Sequence, residues 1–279
     1  MPIVPTDDLN DPRLADYRNV PDPELLRDRH VFIAEGRVVV RHLLGSMRFM
    51  TRSVLVSPAA LDGLRDALEP HASLPVFVMP VDQLSTLVGF NMHRGCLAVA
   101  ERPTPPPVGD WLASTGGARL LVAVEGVANA DNIGGIFRNA LAFGAGGVLL
   151  SPTSCDPLYR KATRVSTGAT LRLPFTVAAR WPGDLFALKK AGYQILALTP
   201  DDGARDIEDA LAMRPQDARL ALLLGHEGTG LTDEAVLAAD DCVRVAMAPG
   251  VDSLNVATAA GVALYACGRR RTSGRVSVW

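Results

Sequence analysis

The chain has 279 residues, 48% of them hydrophobic and 5% aromatic, with a formal net charge of −2. That length suits two domains, or one with a large appendage. The near-neutral charge excludes a global pull toward a polyanion, so any nucleic-acid contact must use local positive charge. No apolar stretch reaches the ~20 residues a membrane span needs, and residues 1–8 lack the basic and apolar regions of a signal peptide. A soluble, unexported, cytoplasmic protein is expected. Cys96, Cys155, Cys242 and Cys267 are far apart and form no Cys-x-x-Cys pair, and the histidines show no ligand spacing. Reduced core cysteines and no metal site are expected.

Residues 1–30 are polar and proline-spotted, and read as an arm lying on the surface. Residues 31–101 alternate between periods. Helical spacing runs over Phe32–Leu44, Ala59–Leu68 and Asp82–Val88, and strands are predicted at Thr51–Val56, Pro75–Met79 and Cys96–Ala100. This is a small α/β domain. The proline-rich run Arg102–Gly109 opens a stiff linker over 102–118, with a short helix around Trp111. Residues 119–279 form the second domain. Its strand candidates are Leu120–Glu125, Gly147–Leu150, Leu173–Val177, Gln194–Thr199, Leu220–Leu224 and Cys242–Val245, and a last helix is predicted over Leu254–Arg270. Near-continuous apolar strands between helices predict a parallel sheet covered on both faces. No Gly-x-Gly-x-x-Gly follows the first strand, which argues against an ordinary dinucleotide-binding fold. The run Gly144–Gly147 sits between a helix and a strand, where a helix C-cap and turn are expected.

Three loops in this second domain carry the chemistry. The first is Asn132-Ile133-Gly134-Gly135-Ile136-Phe137-Arg138-Asn139-Ala140, closed by Phe143-Gly144-Ala145. The second is Leu224-Gly225-His226-Glu227-Gly228-Thr229-Gly230-Leu231, and the third is Val245-Ala246-Met247 followed by Ser253-Leu254-Asn255. Each follows a predicted buried strand, so all three can meet at one sheet edge, where open α/β sheets bind ligands. Asn132 can serve as an N-cap. Arg138 lies on the flank of the first helix, and its planar donor fork suits a phosphate or a developing negative charge. Glu227 is a carboxylate between glycines that let a ligand approach backbone. Ser253 or Asp252 can cap the last helix. The irregular stretch before it can wrap an adenine, with Val245, Met247 and Leu254 as apolar walls.

In order and register these motifs resemble the SpoU/TrmH family of RNA ribose methyltransferases, in the SPOUT group. The resemblance runs from about Leu120 to Leu264. Further similar segments are Arg164-Val165-Ser166-Thr167-Gly168-Ala169, Phe32-Ile33-Ala34-Glu35-Gly36 and His93-Arg94-Gly95-Cys96-Leu97-Ala98. Two departures stand out: Asn129-Ala130 replaces a frequent Asp-Pro, and Val245-Ala246-Met247 replaces an Ile-Pro-Met. The resemblance implies an α/β SPOUT domain with a C-terminal trefoil knot, S-adenosylmethionine as cofactor, and a homodimer through the C-terminal domain. It implies methyl transfer to a ribose 2′-hydroxyl, with Asn132, Arg138, Glu227, Ser253 and Asn255 as catalytic residues. Leu198, Thr199, Gly225, Val245, Met247 and Leu254 would hold the cofactor. Residues 31–101 would be a ribosomal-protein-like substrate-binding domain.

A guanidinium holds its proton firmly and makes a poor base, so Arg138 is expected to stabilise the nascent alkoxide and grip a neighbouring phosphate rather than act as base. Glu227 is expected to orient Arg138 or the substrate. Arg160, Lys161 and Arg164, assigned to the catalytic domain, and Arg41 among the N-terminal basic residues, are the expected RNA contacts. By family analogy ribosomal RNA is favoured over tRNA. The rivals are a tRNA ribose methyltransferase, a catalytically silent RNA-binding relative and a conventional nucleotide-dependent enzyme.

Overall fold

The computed structural model describes residues 2–92 and 95–269. His93 and Arg94, and the predicted helix end at Arg270, lie outside the described residues. In chain order the first stretch carries β1 (Ile3–Pro5), a 3-10 helix (Pro12–Tyr17), α1 (Asp22–Arg27), β2 (Val31–Glu35), α2 (Arg37–Leu44) and β3 (Thr51–Val56). It continues with α3 (Pro58–Asp62), α4 (Arg65–Leu68), β4 (Val76–Val78), α5 (Val81–Val88) and β5 (Cys96–Glu101). Then come α6 (Val108–Ser114), β6 (Leu120–Val124), α7 (Ala130–Ala142), β7 (Val148–Leu150), α8 (Arg160–Val165), α9 (Ala169–Arg172) and β8 (Phe175–Val177). The chain goes on through α10 (Leu185–Lys190), β9 (Tyr193–Leu198), β10 (Arg205–Asp206), α11 (Ile207–Ala212) and β11 (Arg219–Leu224). The last elements are α12 (Asp233–Ala238), β12 (Asp241–Arg244) and α13 (Val256–Arg269). Two compact units result: Met1–Thr104 with Pro157–Arg172, and Pro105–Asp156 with Leu173–Trp279.

The first unit is built on a five-stranded mixed sheet in the order β1-β4-β3-β5-β2. It corrects three expectations. The helix over Phe32–Leu44 is split, because Val31–Glu35 is buried at every position and pairs with β5. Gly36, at φ 94°, then turns the chain into α2. A short, continuous apolar run has no period that separates strand from helix. The helix over Ala59–Leu68 breaks at Gly63–Leu64. Residues 2–30 are not a surface arm. β1 adds to the sheet edge beside β4, and Leu14, Tyr17 and Leu25 are buried in this unit's core. The Tyr17 hydroxyl meets Ser53 Oγ at 2.8 Å.

A further correction concerns the unit's boundary. Helices α8 and α9 belong to the first unit, with α8 packed on β2, although they lie between strands of the second in sequence.

The second unit holds a seven-stranded sheet, ordered β10-β12-β9-β11-β6-β7-β8, and every pairing is parallel. The central strands Leu120–Val124 and Leu220–Leu224 are buried throughout, as a sheet covered on both faces requires. The two-residue strand β10 at the edge was not foreseen. Because the strands run parallel, the segments leaving β6, β9, β11 and β12 all emerge at one end of the sheet, which is where the three motif loops lie.

Candidate active site

The first loop leads from β6 into α7. Its N-cap is Asn129, whose Oδ1 accepts from Asp131 N at 2.8 Å, and not Asn132. Asn132 sits within the first turn of the helix, only 9% exposed, and its side chain bonds outside it. Its Nδ2 donates to Glu227 Oε1 at 2.6 Å, and its Oδ1 accepts from Asn255 Nδ2 at 2.8 Å. One amide thus joins all three loops.

The second loop is a tight ring. His226 and Gly230 form an isolated antiparallel bridge, with N···O distances of 3.1 and 3.0 Å. A Cβ added at Gly225 would stand 2.6 Å from Gly230 C and from Leu231 N, so only glycine permits the closure. The imidazole of His226 folds over the ring, and its Nδ1 accepts from Gly228 N at 2.9 Å and Thr229 N at 3.2 Å. That bonding assigns the ring hydrogen to Nε2. The ring presents Glu227, whose Oε2 takes no hydrogen bond among the described residues.

The third loop runs from β12 to α13. Here the cap is Asn255, not Ser253 or Asp252: its Oδ1 accepts from Ala257 N at 3.0 Å and Thr258 N at 3.2 Å. Helices α7 and α13 approach closely through small residues. A Cβ on Gly135 would meet Ala257 Cβ at 2.7 Å, and Asn139 Nδ2 donates to Ala257 O at 2.8 Å. This contact brings the two helix starts, and so Asn132 and Asn255, within reach of each other.

The second and third loops and the end of β9 line a cavity of about 330 Å³, and the first loop reaches it only through the bond from Asn132 to Glu227. Leu198, Thr199, Gly225, Val245, Met247 and Leu254, the six residues expected to hold a cofactor, all line it, as do Glu227 and Ser253. His226 and Asp252 line it too and were not named as site residues: His226 stood in the second motif without an assigned role, and Asp252 only as a candidate cap. The walls combine aliphatic side chains with glycine backbone and two carboxylates. Among the described residues neither lysine nor arginine lines the cavity.

Arg138 is exposed on α7 and takes no hydrogen bond or ion pair among the described residues. Glu227 therefore does not orient it: its one bond goes to Asn132. The predicted RNA contacts belong to the first unit. Arg160 Nε bonds Asp22 Oδ1 at 2.7 Å, and its Nη2 bonds Val20 O at 2.9 Å. Arg164 meets Glu35 at 3.2 Å, and Arg41 forks onto Asp66 at 2.7 Å. Lys161 is exposed on α8. The catalytic-domain cluster expected from sequence is thus, for Arg160 and Arg164, a set of ion pairs inside the first unit. Among the described residues no group of three or more His, Cys, Asp or Glu could hold a metal ion, and no helix is long and apolar enough to cross a membrane.

Comparison with known proteins follows the same lines. The sequence pattern of the SpoU rRNA Methylase family matches residues 119–265. An uncharacterized tRNA/rRNA methyltransferase of Mycobacterium tuberculosis is 40% identical over 262 residues, 92% of this chain and 89% of that protein. A 23S rRNA (guanosine-2′-O-)-methyltransferase of a Burkholderia species is 31% identical over 205 residues, 73% of this chain and 81% of its own. Among solved structures, the SpoU methyltransferase AviRb of Streptomyces viridochromogenes superposes with a TM-score of 0.74 at 25% identity, covering 94% of this chain and 98% of that one. The AdoMet-bound rRNA methyltransferase of Sinorhizobium meliloti shares the fold, with a TM-score of 0.80 at 23% identity, over 97% of this chain and 99% of that one.

Proposed function

Because the chain belongs to the SpoU rRNA methylase family, we propose that it transfers a methyl group from S-adenosylmethionine to a ribose 2′-hydroxyl of ribosomal RNA. The observation that carries this is the bonded chain Glu227–Asn132–Asn255 at the rim of the cavity. It fixes three otherwise separate loops beside one ligand-sized space.

The cavity suits the cofactor. Val245, Met247 and Leu254 offer apolar walls to an adenosine, and the backbone around Gly225 offers hydrogen bonds. Glu227 and Asp252, with no lysine or arginine beside them in the lining among the described residues, complement a ligand that carries a sulfonium and an ammonium. When bound, the cofactor would supply an electrophilic methyl on a sulfonium that leaves as a neutral thioether.

The chain's own residues supply position and charge. In-line transfer depends on holding the reacting atoms in register, and the Asn132 amide does this by locking the rim. Glu227 offers its unbonded Oε2 to a ribose hydroxyl, and Ser253 stands on the opposite loop. Arg138 has its full donor fork available for the oxygen that loses its proton and for a neighbouring phosphate.

Ribosomal RNA is supported by the Burkholderia relative, which is named a 23S rRNA (guanosine-2′-O-)-methyltransferase. The tRNA alternative draws on the mycobacterial relative, named a tRNA/rRNA methyltransferase. By family analogy the C-terminal segment forms a trefoil knot, the second unit forms a homodimer, and the first unit holds RNA in the cytoplasm. Mapping 2′-O-methyl sites in ribosomal and transfer RNA, from cells with and without the protein, tests the substrate. One ribosomal site lost with the protein is expected; loss confined to tRNA would overturn the ribosomal assignment, and unchanged maps the activity.

A further inference from the structure

Glu125 is a carboxylate only 6% exposed, and the methyl-transfer scheme above makes no use of it. It stands just past the end of β6, and its bonds reach both ends of the glycine ring. Its backbone N–H donates to Leu224 O at 2.8 Å, directly before Gly225. Its Oε2 accepts from Thr232 N at 2.9 Å, and its Oε1 accepts from Thr232 Oγ1 at 2.9 Å. Residues 224 and 232 flank the ring on either side, so one residue holds both. Thr232 is also the N-cap of α12, accepting from Ala235 N at 3.3 Å. Oε1 takes one more bond, from the Trp181 indole Nε1 at 2.6 Å.

We propose that Glu125 is a positioning residue for the cofactor: its amide and its carboxylate clamp the two ends of the glycine ring, and Trp181 senses that clamp. The ring has few other ties. Within it the bridge His226–Gly230 and the His226 imidazole close the loop on itself, which gives it shape but not placement. Placement comes from β11 at one end, from Thr232 and the core-packed Leu231 at the other, and from the Asn132–Glu227 bond at the tip. Glu227 must meet Asn132 at 2.6 Å, so a shift of the ring by a fraction of an ångström disconnects the rim. Bonds to a carboxylate are stronger than neutral ones, which suits a clamp on a glycine-rich segment. For the cofactor, the inference rests on the reading that this ring walls its cavity.

The test uses the full chain with two substitutions. Glu125→Gln keeps the size but turns one acceptor oxygen into a donor facing donors, so at least one of its three side-chain bonds is lost. Thr232→Val removes the hydroxyl and leaves the backbone bond. Calorimetry with S-adenosylmethionine is expected to show a Kd raised about tenfold in each, the scale of one lost charge-assisted hydrogen bond. Hydrogen exchange of amides 226–231 is expected to quicken about tenfold, while β6 and β11 keep their protection. Trp181 emission, taken as the difference from the Trp181→Phe chain, is expected to shift as the cofactor is added, and this response should vanish in Glu125→Gln.

Wild-type exchange in the ring together with wild-type affinity overturns the clamp. Faster exchange spread evenly over the sheet also overturns it, since Glu125 would then be a general strut. If the unmodified chain binds no S-adenosylmethionine, the cofactor reading fails, and the exchange measurement alone decides the clamp. Should Glu125→Gln fail to fold, Thr232→Val carries both measurements.

Discussion

Asn132 Nδ2 donates to Glu227 Oε1 across 2.6 Å, joining residues that lie 95 positions apart in the chain. The direction of this bond is fixed from the far side of the site. Asn255 Oδ1 accepts two backbone N–H groups at the start of α13, so its Nδ2 must point to Asn132 Oδ1. That leaves only the Asn132 amino group to face Glu227. The backbone of the last helix therefore sets the donor that the glycine ring's carboxylate receives.

Asn132→Asp replaces that donor with an acceptor opposite a carboxylate. Methyl transfer is expected to fall on the order of 100-fold, because a small displacement of reacting groups costs that much. The lost bond and the repulsion should lower stability by about 1–3 kcal/mol, read as a fall of several degrees in Tm. In Asn132→Asp/Glu227→Gln a donor again faces an acceptor, so Tm is expected to recover while activity stays low. A double variant no more stable than Asn132→Asp would deny the bond.

Arg138 is predicted to divide stability from activity. It is exposed and unpaired among the described residues, so Arg138→Ala should shift stability by no more than about 0.5 kcal/mol. Single-turnover methyl transfer at saturating cofactor should fall at least ~100-fold, the loss expected for one preorganised charge stabiliser. Lysine should restore little, since a point charge lacks the bidentate fork. Near-normal turnover in Arg138→Ala would remove this residue from the site.

The sheet of the second unit was legible because a parallel sheet writes itself as buried runs: Leu120–Val124 and Leu220–Leu224 were recognised to within a residue or two. The residues proposed to hold the cofactor line one cavity, and they were named because the family resemblance, together with the aliphatic side chains around the irregular loop before α13, pointed to them. What sequence could not supply was direction and partnership. Asn132 read as a cap, yet the cap is Asn129, because one step along a helix changes which groups a side chain reaches. Glu227 was paired in expectation with Arg138 or substrate, and nothing in the sequence linked it to the Asn132 amide that it meets. The basic cluster Arg160–Arg164 misled for a simple reason: charge spacing records where arginines stand, not that Asp22 and Glu35 from far upstream neutralise them.

That correction gives a third prediction. Arg160 is only 17% exposed at its side chain and bonds both Asp22 and the Val20 carbonyl. Arg160→Ala strands a largely buried Asp22 and is expected to cost about 2–3 kcal/mol in urea unfolding. A phosphate contact would instead show as a shallower salt dependence of RNA binding, by about one unit of slope. Unchanged stability together with a reduced salt slope would return Arg160 to the RNA surface.

The glycine ring gives the last prediction, and it differs from what the motif alone suggests. In sequence the glycines around Glu227 read as letting a ligand approach backbone, a reading in which a side chain at Gly225 acts by blocking that approach. The structure puts the collision inside the protein: a Cβ there stands 2.6 Å from Gly230 C and Leu231 N and 2.8 Å from Gly230 O. These are backbone atoms that no rotamer change can move, so even Gly225→Ala must open the ring, at a cost of about 1–3 kcal/mol. Gly228→Ala is the matched control, because among the described residues its Cβ would meet only the His226 ring, Cε1 at 3.5 Å and Nδ1 at 3.6 Å, both ordinary contacts. Gly225→Ala is therefore expected to lower Tm by several degrees without any ligand present, and to lose the stabilisation that S-adenosylmethionine gives the unmodified chain. Gly228→Ala should keep its ligand-free Tm within about 1 °C of the unmodified chain, since it meets no backbone. Equal ligand-free Tm for Gly225→Ala and the unmodified chain would show that the ring does not close on residue 225, and would leave ligand exclusion as the reason for glycine there.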